Sequence, residues 1–255
     1  MRSPHSELPQ VAADIVERLR QRRPRVHCIT SAVAQTFTAN MLLAAGAVPS
    51  MTTAPREIGA FVGRSDALLI NLGIFDAERQ KASMAAIAAA NKARKPWVLD
   101  PVFIDRSPSR AALAKRLVAK KPTALRLNEQ ELVALGGKAS DPAAFARTIR
   151  TQTVIWLTGE RDFVSDGKRL ATIGNGDPLM AKVTAMGCAG SAMVAAFLAV
   201  ESDAWLATTA ALVAFGVAGE IAAERARGPG SFAVEMIDAL HGLNRATLIG
   251  KARVT

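Results

Sequence analysis

Short apolar segments alternate with helix-type patterns along most of this chain, and this order restricts the fold more than any other feature. The apolar segments at 25–29, 48–51, 67–71, 97–99, 123–127 and 154–157 are typical of buried strands. Helix-type patterns at 32–45, 77–94, 109–120 and 129–135 stand between them. Such alternation predicts an α/β fold with a mainly parallel sheet and helices on both faces.

The later part of the chain has a different pattern. Segments 163–165 and 169–173, joined at Asp166-Gly167, predict an antiparallel hairpin at one edge of the sheet, and the chain is helical from Cys188 onward. Half of the 255 residues are hydrophobic, and no linker, repeat or low-complexity tract divides them. We therefore predict one domain over residues 1–255.

Composition argues against several classes of protein. The net charge is +10, but the basic residues are dispersed, tyrosine is absent and no aromatic residues interleave with the basic clusters. This pattern argues against a nucleic-acid surface. The apolar segment 204–219 is rich in alanine and contains Thr and Gly, which suits a helix in a soluble core better than a membrane span. Two cysteines and an N-terminus without a signal-like apolar stretch predict a cytoplasmic protein.

Polar residues at the ends of the predicted strands are the first candidates for a site, because open α/β sheets bind ligands at those ends. Asp100 and Glu131 carry the hard oxygen ligands that Mg²⁺ prefers, directly or through water, although helix capping and surface charge are open alternatives. Arg126 and Thr158 are able to contact nucleotide phosphates, although a lone arginine is more often solvated.

The turn Ala185-Met186-Gly187-Cys188 leads into an almost unbroken apolar helix. A helix N-terminus presents free N–H groups and positive potential, so this turn predicts an anion site. A cysteine there is expected to have a lowered pKa and to serve as a base or nucleophile. The alternative is a small hydrophobic residue buried at a tight helix start.

Other common site motifs are absent from the sequence. It has no GxxxxGK[ST] loop, GxGxxG fingerprint or GxSxG elbow, which argues against P-loop enzymes, dinucleotide-binding dehydrogenases and α/β-hydrolases. His27 stands beside Cys28 without a second pair at zinc-ligand spacing, so we predict a hydrogen-bonded histidine at a strand end. A phosphate cradle would then lie in the turn before Cys188.

From about residue 26 to residue 240, the chain resembles the hydroxyethylthiazole kinases of thiamine salvage. Many short motifs occur in that family's order and at compatible spacing. They are His27-Cys28-Ile29-Thr30, Phe37-Thr38-Ala39-Asn40, Leu99-Asp100-Pro101-Val102, Arg126-x-Asn128-x-x-Glu131, Thr158-Gly159-Glu160, Pro178-Leu179-Met180, Lys182-Val183-Thr184, Gly187-Cys188, Ser191-Ala192 and Arg227-Gly228-Pro229-Gly230-Ser231-Phe232.

The resemblance implies a ribokinase-like fold, a three-layer α/β/α sandwich. It implies transfer of the γ-phosphate of ATP, with Mg²⁺, to the primary alcohol of 4-methyl-5-(2-hydroxyethyl)thiazole, and a homotrimer with pockets between subunits. The implied site comprises catalytic Cys188 and Gly187, substrate-binding Met51 and Ala185, nucleotide-binding Arg126 and Thr158, and metal-binding Asp100 and Glu131.

Three departures from the family pattern bear on substrate choice. Ala185-Met186 replaces a usual Gly-Thr, which puts a Cβ where the backbone angles are expected to be unusual. Ser31 replaces a frequent Asn, and Phe103-Ile104-Asp105 replaces a small Gly-Ala-Gly run. A kinase of another small alcohol, such as a hydroxymethylpyrimidine, is the first alternative. A nucleotide-dependent dehydratase of hydrated NAD(P)H is the second, although it would want an aspartate where Cys188 stands.

Overall fold

The strands of the sheet coincide closely with the apolar segments of the sequence. The computed structural model describes residues 7–74, 76–138, 140–149 and 153–255. Within these residues the strands are β1 Arg25–Ile29, β2 Val48–Ser50, β3 Ala67–Asn71, β4 Trp97–Asp100, β5 Ala124–Leu127, β6 Val154–Leu157, β7 Asp162–Ser165 and β8 Leu170–Ile173. The central strands β3 and β4 are buried along their whole length, as expected for parallel strands covered on both faces.

The strands form one sheet in the order β2-β1-β3-β4-β5-β6-β7-β8. The pairs from β2 through β6 are parallel, whereas β6–β7 and β7–β8 are antiparallel, which confirms the predicted hairpin at the edge. The sequence did not predict that the C-terminus extends this edge. There, Val254 forms a bridge with Ile173, and the Thr172 N–H donates to the Thr255 carbonyl at 2.7 Å.

Helices cover both faces of the sheet. They are α1 Leu8–Arg22, α2 Ala32–Ala45, α3 Ile58–Arg64, α4 Ala77–Lys92, α5 Pro108–Val118, α6 Glu129–Ala134, α7 Pro142–Thr148, α8 Met186–Leu198, α9 Ala204–Arg225, α10 Pro229–Gly242 and α11 Arg245–Lys251. Several begin at a short polar residue that caps the first turn; Asp76, for example, accepts from the Arg79 N–H at 2.7 Å.

Two apolar cores lie on opposite faces of the sheet. Residues of one strand alternate between them: Leu69 belongs to the core under α1, α2, α8, α9 and α10, whereas Leu68 and Ile70 belong to the core under α3 to α7. This arrangement is the predicted three-layer α/β/α sandwich. That residues 1–255 form one domain stays a prediction.

The alanine-rich helix α9 is long and apolar enough to cross a membrane, and it is the one such helix in the part of the chain described. Its most apolar window is 83% buried inside the molecule. Small residues allow close approach of its neighbours: a Cβ on Gly219 would lie 2.6 Å from Sδ of Met180, and a Cβ on Gly216 would lie 2.7 Å from the Asn175 carbonyl oxygen. The burial favours the interpretation of α9 as a core helix.

Two predicted boundaries differ from the structure in ways that affect the site. Strand β2 ends at Ser50, which leaves Met51 in the loop beyond it. Helix α8 begins at Met186 rather than Cys188, because Ala185 adopts a left-handed conformation that starts the helix earlier. Gly187 and Cys188 therefore lie within the first turn of α8.

Candidate active site

The site residues predicted from sequence all lie at the carboxyl edge of the parallel strands. Met51 follows β2, Asp100 ends β4, Arg126 lies in β5, Glu131 lies in the following helix, Thr158 follows β6, and Ala185, Gly187 and Cys188 start α8. β2 and β6 are five positions apart in the sheet. With about 4.8 Å between neighbouring strands, the ends of β2 and β6 are about 24 Å apart. The edge that carries these residues is therefore elongated, and Met51 and Thr158 lie at different parts of it.

Asp100 is fully buried at the centre of this edge. Its Oδ1 accepts from Nη1 of Arg126 at 3.0 Å, and its Oδ2 accepts from Nδ2 of Asn71 at 2.7 Å and from Oγ of Ser191 at 3.0 Å. The carboxylate caps no helix in the described residues and is not a surface charge, so both alternatives to a functional role for Asp100 are wrong.

Glu131 differs from Asp100 because capping accounts for part of its role. It forms a capping box with Asn128: the Asn128 N–H donates to Oε2 of Glu131 at 2.9 Å, and the Glu131 N–H donates to Oδ1 of Asn128 at 2.8 Å. Its Oε1 accepts from the Phe103 N–H at 3.0 Å. Burial raises the pKa of the Glu131 carboxyl, and the nearby charge of Asp100 adds to the increase. Each Glu131 oxygen still has a lone pair for a water or a metal.

Arg126 is held between carboxylates, an indole ring and the start of α8. Its guanidinium lies 5.5 Å from the ring centroid of Trp156, and a Cβ added to Gly187 would lie 2.8 Å from Nη2 of Arg126. Burial tends to lower the arginine pKa, but the charges of Asp100 and Glu131 outweigh it and leave the pKa raised. This is not the solvated arginine of the alternative interpretation. Its Nε is buried and has no hydrogen-bond partner among the described residues.

Cys188 is partly buried, and its Sγ accepts a hydrogen bond from Nδ2 of Asn71 at 3.3 Å. Burial raises the pKa of the thiol to about 11, and the charge of Asp100 adds to the increase. The expectation that the helix N-terminus lowers this pKa is therefore wrong, because desolvation outweighs the groups that favour the thiolate. At neutral pH Cys188 is a neutral thiol.

Thr30 lies at the end of β1 and is 1% exposed, with its Oγ1 lacking a hydrogen-bond partner in the described part of the chain. The Thr30 hydroxyl lies close enough to Cys188 to oppose the increase in the thiol pKa. The geometry between the two groups does not meet that of a hydrogen bond. Buried polar groups are normally hydrogen-bonded, so a ligand hydroxyl is able to supply the partner that Thr30 lacks among the described residues.

Two backbone positions near the site carry side chains where glycine is favoured. Ala185 caps α8 at φ 72°, and Phe103 has φ 62°. The left-handed conformation costs a residue with a Cβ about 1 to 2 kcal/mol. The sequence departures at 103 and 185 therefore fall on positions of unusual backbone angles, as expected for Ala185.

His27 is fully buried, and both of its ring nitrogens are hydrogen-bonded, as the sequence predicts. Nε2 donates to the Thr52 carbonyl at 2.9 Å, which makes Nδ1 the acceptor for the Ser50 hydroxyl at 2.8 Å in the neutral ring. These two bonds lie on either side of Met51, which is half-buried against the core. Among the described residues no group of three or more His, Cys, Asp or Glu side chains is able to hold a metal by itself.

Thr158 borders a surface pocket of about 330 Å³ that is also lined by Glu129, Arg161 and Phe163. Larger cavities of about 680 and 640 Å³ lie elsewhere and contain none of the predicted site residues. Asp162 supports the Thr158 loop: it accepts from the Gly159 N–H at 3.2 Å and from Nε1 of Trp156 at 3.1 Å. Burial raises the pKa of Asp162 to about 6.

Sequence reasoning assigned no role to Asn71, Thr30, Ser191 or Asp162. Asn71 was recognisable only as a polar residue at a strand end. Thr30 and Ser191 stand in short motifs shared with the family, which gave them no role, and Ser191 also lies one helical turn after Cys188. Asp162 carried no signal, because its role depends on burial against Trp156.

An elongated edge with an arginine at a helix N-terminus, two carboxylates and a neutral thiol suits transfer of a phosphoryl group between two small molecules. The overall fold is shared with a solved structure. A ribokinase-like superfamily protein from Enterococcus faecalis superimposes with a TM-score of 0.69 at 15% identity, covering 91% of this chain and 95% of that one. The chain therefore has the ribokinase-like fold.

Residues 16–246 match the sequence profile of the hydroxyethylthiazole kinase family. A probable hydroxyethylthiazole kinase of Agrobacterium fabrum is 44% identical over 95% of this chain and 94% of its own length. The solved hydroxyethylthiazole kinase protein of Pyrococcus horikoshii superimposes with a TM-score of 0.91 at 36% identity, covering 96% of this chain and 98% of that one. The chain belongs to the hydroxyethylthiazole kinase family.

Proposed function

We propose that this protein phosphorylates the primary alcohol of 4-methyl-5-(2-hydroxyethyl)thiazole with ATP and Mg²⁺ in thiamine biosynthesis or salvage. Membership of the hydroxyethylthiazole kinase family over nearly the whole chain carries the substrate assignment. The site supports the reaction type, because the groups for phosphate lie at β4 to β6 and the neutral groups lie at β1 to β3.

The oxygen ligands of the site fit Mg²⁺ bound together with nucleotide phosphates. Mg²⁺ in such sites keeps several waters and needs only one or two protein carboxylates. Asp100 and Glu131 supply them, and because their oxygens already accept protein hydrogen bonds, contact through water suits them best. The ion would neutralise charge on the phosphates during transfer.

Arg126, Gly187 and the first turn of α8 are the groups that would hold the transferring phosphoryl group. The first N–H groups of a helix lack intrahelical acceptors, and the arginine brings a full positive charge to the same place. Glycine at position 187 leaves room for the guanidinium, since a Cβ there would lie 2.8 Å from Nη2 of Arg126 and would displace it. Thr158 would contact the nucleotide farther along the edge, beside the pocket that it borders.

Cys188 and Thr30 would hold the hydroxyl of the acceptor. The hydroxyl oxygen forms a bond to the γ-phosphorus, the bond from that phosphorus to the bridging oxygen breaks, and ADP leaves with the electron pair. A thiol whose pKa is raised to about 11 is a hydrogen-bonding group rather than a ready base at neutral pH. The hydroxyl proton passes to an oxygen of the transferred phosphoryl group, which suits a loose transition state that needs little base assistance.

A homotrimer in the cytoplasm is the assembly that we propose. Helix α8 and most of α9 are buried in the core of the chain itself, so they offer little surface to a second copy. Val33 and Leu43 on α2 and Val234 on α10 are among the exposed apolar side chains, and these two helices pack together. Light scattering at micromolar concentration should give the mass of three chains rather than one.

The direct test is mass spectrometry of reaction mixtures of the purified protein with ATP, Mg²⁺ and each candidate alcohol. We expect a phosphate monoester of hydroxyethylthiazole, formed only when Mg²⁺ is present. ATP consumption with hydroxymethylpyrimidine but not with the thiazole would contradict the substrate assignment.

A further inference from the structure

We propose that Asn71 is a positioning residue that acts through Cys188, by fixing the thiol relative to Asp100 so that the acceptor hydroxyl is held in line with the phosphoryl group. This inference rests on the proposed function, since it assigns a role in the transfer step. It concerns a residue at the end of β3 that joins the charged and neutral parts of the site.

The amide of Asn71 has one orientation, and both of its hydrogens are used. Its Oδ1 accepts from the Gly73 N–H at 2.9 Å, and a Cβ at Gly73 would lie 2.8 Å from this oxygen, so glycine is required for the approach. The residue is 2% exposed. Because the oxygen must face an N–H, the NH₂ group must face the opposite side.

The two hydrogens of this NH₂ group go to the two functional groups of the site. Nδ2 donates to Oδ2 of Asp100 at 2.7 Å and to Sγ of Cys188 at 3.3 Å. Asn71 and Asp100 are also cross-strand partners in the register of β3 and β4. The amide thus links a rigid sheet to the first turn of α8, and it leaves the thiol hydrogen free for another partner.

Ser191 lies on α8, the helix that carries Cys188, and provides a matched comparison for Asn71. Its hydroxyl donates to the same Asp100 oxygen at 3.0 Å, yet no bond links it to Cys188. A residue that only secures the buried carboxylate should behave like Ser191. A residue that acts through the thiol should lose its effect when the thiol is removed.

A double-mutant cycle separates these roles. Asn71→Ala, Cys188→Ala and the double variant are compared with Ser191→Ala and Ser191→Ala/Cys188→Ala, using whichever alcohol the wild type phosphorylates. We expect Asn71→Ala to lower kcat by about 10²-fold, the scale of a displaced reacting group, with a change in KM for ATP below about 3-fold. In the Cys188→Ala background the same substitution should cost less than about 3-fold.

The effect of Ser191→Ala should be smaller and equal in both backgrounds. Equal losses from Asn71→Ala with and without the thiol would overturn the proposal, as would a loss expressed in KM for ATP alone. Asn71→Leu keeps the approximate volume and removes the donors to Cys188 and Asp100 without adding a charge beside that carboxylate, so it replaces the alanine variant if thermal unfolding shows that the latter does not fold. If the thiazole is not phosphorylated but another alcohol is, the proposed substrate fails while the cycle remains measurable.

Discussion

The two sides of the active-site edge are built differently. On the side proposed to bind the nucleotide, comprising Asp100, Arg126, Glu131 and Thr158, the charged groups are buried and held by several bonds within the chain. On the acceptor side, comprising Thr30, Met51 and Cys188, the groups are neutral, and one buried hydroxyl has no partner in the described residues. Fixed charges suit a polyanion whose charge distribution changes during the reaction, because they need no reorganisation. Neutral groups suit an uncharged alcohol.

Replacement of Arg126 should have the largest effect of these variants, and it should disrupt the nucleotide side of the site. Arg126→Ala leaves the Asp100 carboxylate buried without its ion-pair partner, which is expected to cost about 3 to 5 kcal/mol in the free energy of unfolding. KM for ATP should rise more than KM for the thiazole. Chemical denaturation and initial-rate kinetics measure the two effects. A larger rise in the thiazole KM would refute the assignment of Arg126 to the nucleotide.

Substitutions of Cys188 test whether the acceptor side depends on a neutral group at this position. Cys188→Ala should lower kcat by about 10²-fold, because the acceptor hydroxyl loses its positioning group. Cys188→Asp should also lower kcat, because a carboxylate at this place would face the buried charge of Asp100, to which the same Asn71 amide donates. Initial rates at saturating ATP measure both variants. Full activity of the alanine variant together with an inactive aspartate variant would mean that Cys188 only packs against the turn.

Replacement of Met51 should change the two KM values in the opposite order to replacement of Arg126. Met51→Ala removes apolar contact from the acceptor side, so KM for the thiazole should rise about 10-fold while KM for ATP stays within about 2-fold, the lower range for loss of apolar pocket contact. Met84→Ala, a change in an exposed methionine on α4, serves as the control. Parallel rises in both KM values would show that the two sides are not separate.

Asp162 extends the comparison to pH, and its expected effect is on stability rather than on the rate of transfer. Its pKa is raised from the usual 3.8 to about 6, so the folded chain holds this proton more tightly than the unfolded chain. The associated stability is present below about pH 4 and is lost as pH rises to about 6. The free energy of unfolding of the wild type should therefore fall relative to that of Asp162→Asn across this window. Denaturation curves from pH 4 to 7 that run parallel for the two proteins would disprove the shift.

Much of the fold and the location of the site were predictable because they depend on local pattern. Apolar segments of three to five residues became strands, and polar residues at their ends came to one edge, since parallel strands share a direction. The unusual backbone at Ala185 was also predictable, because it depends on the geometry of one turn. The exact start of α8 was not predicted: the apolar pattern placed it at Cys188, whereas the helix begins at Met186, directly after Ala185.

The sequence by itself determined which groups meet at the edge, whereas the tertiary structure decided their chemical state. Asn71 and Cys188 are 117 positions apart, and Asp100 and Ser191 are 91 apart, so no local pattern reveals these bonds. The pKa of Cys188 had been expected to fall at a helix N-terminus, and it rises instead, because burial and a neighbouring carboxylate arrive from other elements. Residue order fixes the direction and position of strands and helices, but desolvation depends on everything packed around a group, which exists only in the folded chain.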